Sequence, residues 1–197
     1  MSRYLSRIAL CLLTLSCLVV AAGCNRRSQW IHPPKMNASA AAVEAMAAYD
    51  TNQDGKISGP ELVKCPALKE IAKDGAVTAD AIRAIVEQWT KGPVGRARVG
   101  IAVLRNGKPL AGAIVTMEPE KFLGTEIKTI TGTTAANGGA LLTVPTSDPS
   151  EPKGLPLGFY RVEITKDGES IPAKYNADTT LGLAVCGEVT ASFNLVY

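Results

Sequence analysis

The sequence has few of the residues on which most metal-dependent and acid–base enzymes rely. Its 197 residues include one histidine, His32, and only 5% are aromatic. One histidine is too few for most metal sites with histidine ligands, and it argues against catalysis that depends on histidine. The net charge is +3, and no run of about five basic residues occurs. The charge pattern therefore gives no indication of nucleic-acid binding.

Long apolar runs are confined to the N-terminus. Arg3 and Arg7 precede the apolar segment 8–20, which is shorter than the roughly 20 residues of a membrane-spanning helix. The small residues 21–23 then lead directly into Cys24. A basic start, a short apolar stretch and small residues before a cleavage point are typical of a signal peptide.

This N-terminus resembles the lipobox of bacterial lipoproteins, in which the cysteine is lipidated and becomes the first residue of the mature protein. The resemblance implies a signal peptide over 1–23, lipidation of Cys24 and a tether over 24–36. It also implies an extracytoplasmic protein anchored to a bacterial membrane by its lipid. Ala21 stands where the family prefers leucine, and a plain secretory signal cut near Gly23 is the alternative.

Two cysteines follow this leader, Cys65 and Cys186. An extracytoplasmic compartment permits disulfides. No rule of sequence spacing gives the distance between these two residues, so the sequence leaves open whether they form a bridge.

The most specific motif is the segment Asp50–Glu61, which matches the calcium-loop pattern D-x-[DN]-x-[DN]-G-x₅-E at every defined position. Calcium takes about six to eight oxygen ligands, and this spacing supplies them from carboxylates, an amide, a backbone carbonyl and a hydroxyl acting through water. Gly55 permits the sharp turn. The carbonyl of Lys56 and the side chains of five other residues are the predicted ligands: Asp50, Asn52, Asp54, Lys56, Ser58 and Glu61.

The flanks of this loop predict two helices. Asn37 is a suitable N-cap for an alanine-rich helix over 38–49, and Pro60 suits the first turn of a helix over 60–64. We expect the first helix to bury the face formed by Val43, Met46 and Ala47. The segment 37–92 resembles an EF-hand, which implies Ca²⁺ as the bound ion. The alternative is a helix–turn–helix that keeps this spacing without binding metal.

A second, incomplete loop follows at Asp74 and Gly75. Ala81 stands where its bidentate acid belongs, so we expect a structural partner and no second ion site. In this interpretation Val77 pairs with Ile57, and Thr78 caps a helix over 79–90. The apolar stripe of that helix is typical of a core-facing surface: Ile82, Ile85, Val86 and Trp89.

Beyond residue 93 the hydrophobic period changes from helical spacing to alternation. Turn sequences such as Asn106-Gly107 and Asp167-Gly168 separate the alternating segments. About seven short strands are expected over 93–197, which predicts an antiparallel Greek-key β-sandwich. The predicted fold class is therefore α+β, with a small EF-hand-like helical domain and the sandwich as separate domains.

The segments 106–117, 132–139 and 154–162 resemble the carboxypeptidase-regulatory, transthyretin-like module, and the likeness extends over nearly all of 96–197. This resemblance implies a fold and no particular activity. The hydrolases of the transthyretin-like family use histidines and a C-terminal Tyr-Arg-Gly-Ser, and this segment has neither. We therefore expect a non-catalytic, calcium-binding envelope protein. The alternative is a binding module whose loops 119–127 or 145–157 engage an envelope protein or glycan, with calcium secondary.

Overall fold

The structure is a computed structural model that describes residues 33–93, 95–144 and 153–197. The predicted signal peptide, Cys24, most of the tether and part of the loop 145–157 lie outside the described residues. No helix within the described ranges is both long enough and apolar enough to cross a membrane.

Within residues 33–93, the structure has three helices and a two-stranded sheet. The helices are α1 (Ala38–Tyr49), α2 (Pro60–Lys64) and α3 (Ala79–Lys91), with a 3₁₀ turn over Pro66–Ile71. The strands are β1 (Lys56–Ser58) and β2 (Ala76–Thr78), which pair antiparallel. The predicted caps are confirmed, because the Asn37 side chain accepts a hydrogen bond from the Ala40 amide and the Thr78 hydroxyl accepts one from the Ala81 amide.

The buried face of α1 differs from the prediction. Val43 is 68% exposed, Ala47 is exposed and Met46 is only partly buried. The core face instead consists of alanines: Ala41, Ala42 and Ala45. Small side chains allow α1 to pack closely on α3, whose Ile82, Val86 and Trp89 supply the bulk as predicted. In an alanine-rich helix the larger apolar residues therefore did not identify the buried side.

The rest of the described chain is a β-sandwich. Seven of its described strands have four or more residues: β4 (Val99–Arg105), β6 (Ile114–Pro119), β7 (Ile130–Thr133), β8 (Gly139–Leu142), β10 (Gly158–Thr165), β11 (Gly182–Val185) and β12 (Val189–Leu195). Three are two residues long: β3 (Arg96–Ala97), β5 (Lys108–Pro109) and β9 (Leu155–Pro156). One sheet has the order β11-β10-β6-β7, and in the other β4 pairs with β12, β5 and β8. The chain is therefore α+β with a β-sandwich.

One strand pairing departs from the antiparallel prediction. β12 runs parallel to β4, with Val189 opposite Val99 and Leu195 opposite Arg105. A crossover leads from β11, in the other sheet, to β12, and no hairpin joins β12 to β4, so the connection does not require antiparallel pairing. Alternation along a strand identifies its buried face but carries no information about its partner's direction.

The helical segment and the sandwich share one continuous hydrophobic cluster. A chain of aromatic contacts runs across their boundary. Ring centroids are 6.3 Å apart for Tyr49 and Phe122, 6.0 Å for Phe122 and Phe159, and 4.8 Å for Phe159 and Trp89. The domain boundary at 92/93 remains a prediction from sequence, while the core itself continues across it.

The same boundary contains a close backbone approach at Gly182 in β11. A Cβ atom placed there would lie 2.2 Å from the Ala67 nitrogen and 2.6 Å from the Pro66 carbonyl carbon. Both atoms belong to the backbone of the 3₁₀ turn Pro66–Ile71, so neither can move away as a flexible side chain would. Glycine is therefore required where the sandwich meets the turn that follows α2.

We expect Gly182→Ala to lower the free energy of unfolding by about 1–3 kcal/mol, because the added methyl group forces the turn away from β11. Gly187→Ala is the matched control, since a Cβ at that position meets nothing within 4 Å. Urea unfolding followed by tryptophan fluorescence measures both variants. Equal stability of the two variants would contradict this packing.

Candidate functional site

The segment Asp50–Glu61 forms a closed loop between the end of α1 and the first turn of α2. The Asp50 carboxylate accepts hydrogen bonds from the amides of Asp54 (3.1 Å) and Gly55 (3.0 Å). The Asn52 side-chain oxygen also accepts from the Asp54 amide (3.0 Å), and Asp54 Oδ1 accepts from the Lys56 amide (2.9 Å). The predicted ligand side chains in the first half of the loop thus turn toward the loop's own backbone.

The backbone of this half-loop is left-handed at two positions. Gly55 has φ of +82° and Gln53 has φ of +59°. Glycine adopts this conformation without steric cost, while a residue with a Cβ adopts it only where surrounding contacts hold it. The prediction that Gly55 makes the sharp turn is confirmed.

Glu61 closes the loop from its other end. It is 5% exposed, and its carboxylate accepts four hydrogen bonds. Oε1 receives the Thr51 amide (2.8 Å), the Thr51 hydroxyl (2.9 Å) and the Asn52 amide (3.2 Å). Oε2 receives the Ser58 amide (3.1 Å). One side chain therefore ties the start of the loop to its end.

These hydrogen bonds hold the pKa of Glu61 below its ordinary value. The Ser58 amide is the largest cause, burial acts in the opposite direction, and the Thr51 hydroxyl adds to the lowering. Each donor stabilises the ionised carboxylate. Glu61 is consequently a carboxylate at neutral pH, as an ion ligand must be.

The donor set of the loop suits a hard cation. Each side-chain oxygen of Asp50, Asn52 and Asp54 accepts one hydrogen bond, and an sp² oxygen has two lone pairs. Each of these oxygens thus keeps one lone pair, whereas Glu61 Oε1 is fully occupied by its three donors. Bidentate use of Glu61 would require it to exchange some of these bonds for the ion.

The acidic side chains are not gathered around one point. Among residues 33–93, 95–144 and 153–197, no three His, Cys, Asp or Glu side chains form a group that could hold a metal ion. Lys56 and Ser58 are the first and last residues of β1, beside the loop. The fit to calcium thus comes from the type and number of oxygen donors.

The second loop is a tight hairpin turn. Asp74 and Gly75 have φ of +53° and +76°, and the backbones of Lys73 and Ala76 exchange two hydrogen bonds of 3.0 Å across them. The predicted pairing of Ile57 with Val77 is confirmed, and both side chains are buried. This turn therefore supports the strand that flanks Asp50–Glu61.

The sequence left open whether the two cysteines form a bridge, and in the structure both are free thiols. Cys65 is buried between α2 and the 3₁₀ turn, and Cys186 is exposed after β11. The structure therefore contains no Cys65–Cys186 disulfide.

Two residues that contact the loop or the helix end before it are not indicated by the sequence pattern. Thr51 donates two hydrogen bonds to Glu61, although its position in the calcium pattern is not a ligand position. Glu120 accepts a hydrogen bond from Tyr49, a residue 71 positions away that immediately precedes the loop. The occurrence of a small hydroxyl residue after Asp50 is a weak signal for Thr51. No local pattern indicates Glu120.

Comparisons with known proteins leave the family of the chain open. No protein-family profile matches it, and no curated protein matches it. A solved structure, the full-length major pilin SpaD from Corynebacterium diphtheriae, is similar to 51% of this chain at 19% identity and a TM-score of 0.30. The match spans 30% of the pilin chain. At this TM-score the likeness supports no conclusion about fold or function.

We expect Glu61→Gln to lower the urea midpoint at neutral pH, because the amide replaces one acceptor oxygen with a donor facing backbone N–H groups. The Glu61 carboxylate stabilises the fold above its unfolded pKa of about 4.5, and this contribution is lost as the pH falls through the lower folded pKa. The difference between wild type and variant should therefore shrink in acid.

Urea titrations from neutral pH down to about pH 3 measure this difference. Glu44→Gln, which removes an exposed carboxylate on α1, is the control and should track the wild type throughout. A gap between wild type and Glu61→Gln that stays constant with pH would contradict the assigned role of the carboxylate.

Proposed function

We propose that the chain is a calcium-binding, lipid-anchored, non-catalytic protein of the bacterial envelope, in which Ca²⁺ orders the EF-hand-like segment around Asp50–Glu61. The observation that carries this proposal is the complete ligand pattern within a loop that is already closed. The spacing supplies the ligands, the hydrogen bonds of Asp50 fold the first half of the loop, and those of Glu61 tie its start to its end.

The chain's own residues prepare the loop for an ion. Backbone amides hold Asp50 and Asp54 in a closed loop backbone, and each of their oxygens keeps a lone pair for an ion, although these side chains would still have to converge on it. When bound, the ion would supply a double positive charge that offsets the repulsion among three carboxylates. Glu61 would contribute after releasing donors near Thr51, which subtracts from the affinity.

The expected affinity is consequently modest. Extracellular calcium modules have dissociation constants of about 10⁻⁴–10⁻³ M. An ion that binds only the closed loop stabilises the fold by mass action, by about 2.7 kcal/mol when its free concentration is a hundredfold above the dissociation constant. Calcium would thereby fix α1 relative to α2 rather than drive a reaction.

Calorimetric titration of the full-length protein in mild detergent tests the calcium site. We expect one site with a dissociation constant at or below about 1 mM, and no measurable binding by Glu61→Gln. Asp74→Asn is the matched control. It removes an acid from the neighbouring hairpin turn, where asparagine also tolerates the left-handed backbone, and it should bind as the wild type does.

The outcomes of this titration separate three cases. Binding that is lost in Glu61→Gln and kept in Asp74→Asn supports Asp50–Glu61 as the site. Binding that is lost in Asp74→Asn would move the site to the second loop. Absence of heat and of any thermal shift in the wild type would reject calcium binding.

Lipid anchoring has its own test at Cys24. We expect the wild type to fractionate with membranes and its mature mass to exceed that of the polypeptide from residue 24 onward by the mass of the acyl groups. Cys24→Ser should prevent lipidation and abolish this added mass. A wild-type mature protein cut near Gly23 without added mass would instead indicate a plain secretory signal.

A further inference from the structure

Glu120 is a buried carboxyl group at the boundary between the helical segment and the sandwich. It is 4% exposed and lies between β6 and the 3₁₀ turn Lys121–Leu123. Its Oε2 accepts a 2.7 Å hydrogen bond from the Tyr49 hydroxyl, while its Oε1 is buried without a hydrogen-bond partner. A buried polar atom without a partner is costly and requires an explanation.

The neighbours of Glu120 belong to both arms of the loop Asp50–Glu61. Tyr49 is the last residue of α1 and directly precedes Asp50. Cys65 directly follows α2, the helix that contains Glu61, and its thiol lies beside the Glu120 carboxyl. The helices that enter and leave the loop thus meet the same side chain of the sandwich.

We propose that Glu120 is the positioning residue of the loop Asp50–Glu61, and that it ties the frame of the loop to the β-sandwich through Tyr49. This inference rests on the proposed calcium site. Tyr49 also packs edge-on against Phe122, two residues beyond Glu120. The polar and aromatic contacts therefore fix the end of α1 together.

Charged side chains from three parts of the chain lie around Glu120. Arg161 on β10, Glu118 on β6 and Lys121 line an open pocket of about 200 Å³ together with Tyr49, Pro119 and Glu120. Arg161 donates to the Lys64 carbonyl (3.3 Å), at the end of α2. Among the described residues, no ion pair joins Arg161 or Lys121 to either glutamate.

Burial is the largest influence on Glu120, and it raises the pKa of this carboxyl above its ordinary value of 4.5. The Tyr49 hydroxyl, the Cys65 thiol and the Arg161 charge act in the opposite direction, while Glu118 raises the pKa further. Folding therefore shifts this carboxyl toward its neutral form relative to the unfolded chain. It can still accept the Tyr49 hydrogen bond, and it avoids a buried charge with one uncompensated oxygen.

A raised folded pKa means that the folded protein holds more protons than the unfolded chain above pH 4.5. The stabilisation from this carboxyl is fully present below that pH and is lost as the pH rises through the folded pKa. Glutamine imitates the neutral form, since its carbonyl can accept from Tyr49 and it does not titrate. Glu120→Gln should therefore retain the positioning and lose this pH dependence.

Three variants of the full-length protein test the inference by calcium titration at neutral pH. Glu120→Ala and Tyr49→Phe each remove the hydrogen bond, and we expect each to weaken calcium binding about fivefold, the scale of one net hydrogen bond. Glu120→Gln should bind within about twofold of the wild type, and Glu118→Gln is the control from the same pocket. Wild-type affinity in both Glu120→Ala and Tyr49→Phe would overturn the inference.

A second measurement does not depend on calcium. Amide hydrogen exchange without calcium should be faster at Thr51 and Asn52 in Tyr49→Phe than in Glu118→Gln, because their bonds to Glu61 need a fixed loop frame. The free energy of unfolding, measured by urea titration, should fall more steeply above pH 4.5 for the wild type than for Glu120→Gln. Equal exchange rates at Thr51 and Asn52 in Tyr49→Phe and Glu118→Gln would overturn the positioning role. This result can be read even if the wild type binds no calcium, so it is separate from a failure of the proposed function.

Discussion

The carboxylate of Glu61 is the constraint on which the loop and its flanks depend. It brings together amides from the start of the loop and from the end of β1, so its hydrogen bonds hold the two ends of the loop together. The pairing of β1 with β2 then anchors the loop to the helix that follows β2. A buried ionised carboxylate is stable here because each of its oxygens has backbone N–H donors.

The sandwich supports this arrangement by packing against the helical segment. Phe122 and Phe159 extend the core from the sandwich to Tyr49 and Trp89, and Gly182 lets β11 touch the turn after α2. The helical segment is small and would bury little apolar surface by itself. Its packing on the sandwich explains how a short, alanine-faced helix can hold a loop in place. An ion in that loop would accordingly stabilise a segment that is joined to a larger fold.

Local sequence patterns predicted local structure well. The confirmed features depend on residues near one another in the chain. They are the caps at Asn37 and Thr78, the apolar stripe on α3, the Ile57–Val77 pairing and about seven strands. The parallel direction of β12 and the hydrogen bond between Tyr49 and Glu120 depend on residues that are distant in sequence, and no short pattern encodes them. Val43 shows a different limit, because an alanine-rich helix can bury its smallest side chains.

Asp50–Glu61 is proposed to bind calcium while remaining part of one packed structure. Amide nuclear magnetic resonance spectra of the isotope-labelled protein, recorded with and without Ca²⁺, test it most directly. We expect saturable shifts at the amides that contact the loop carboxylates, those of Thr51, Asn52, Asp54, Gly55, Lys56 and Ser58. Smaller shifts should reach Phe122 through Tyr49. Spectra that calcium leaves unchanged, or shifts confined to residues 96–197, would show that this loop does not bind calcium.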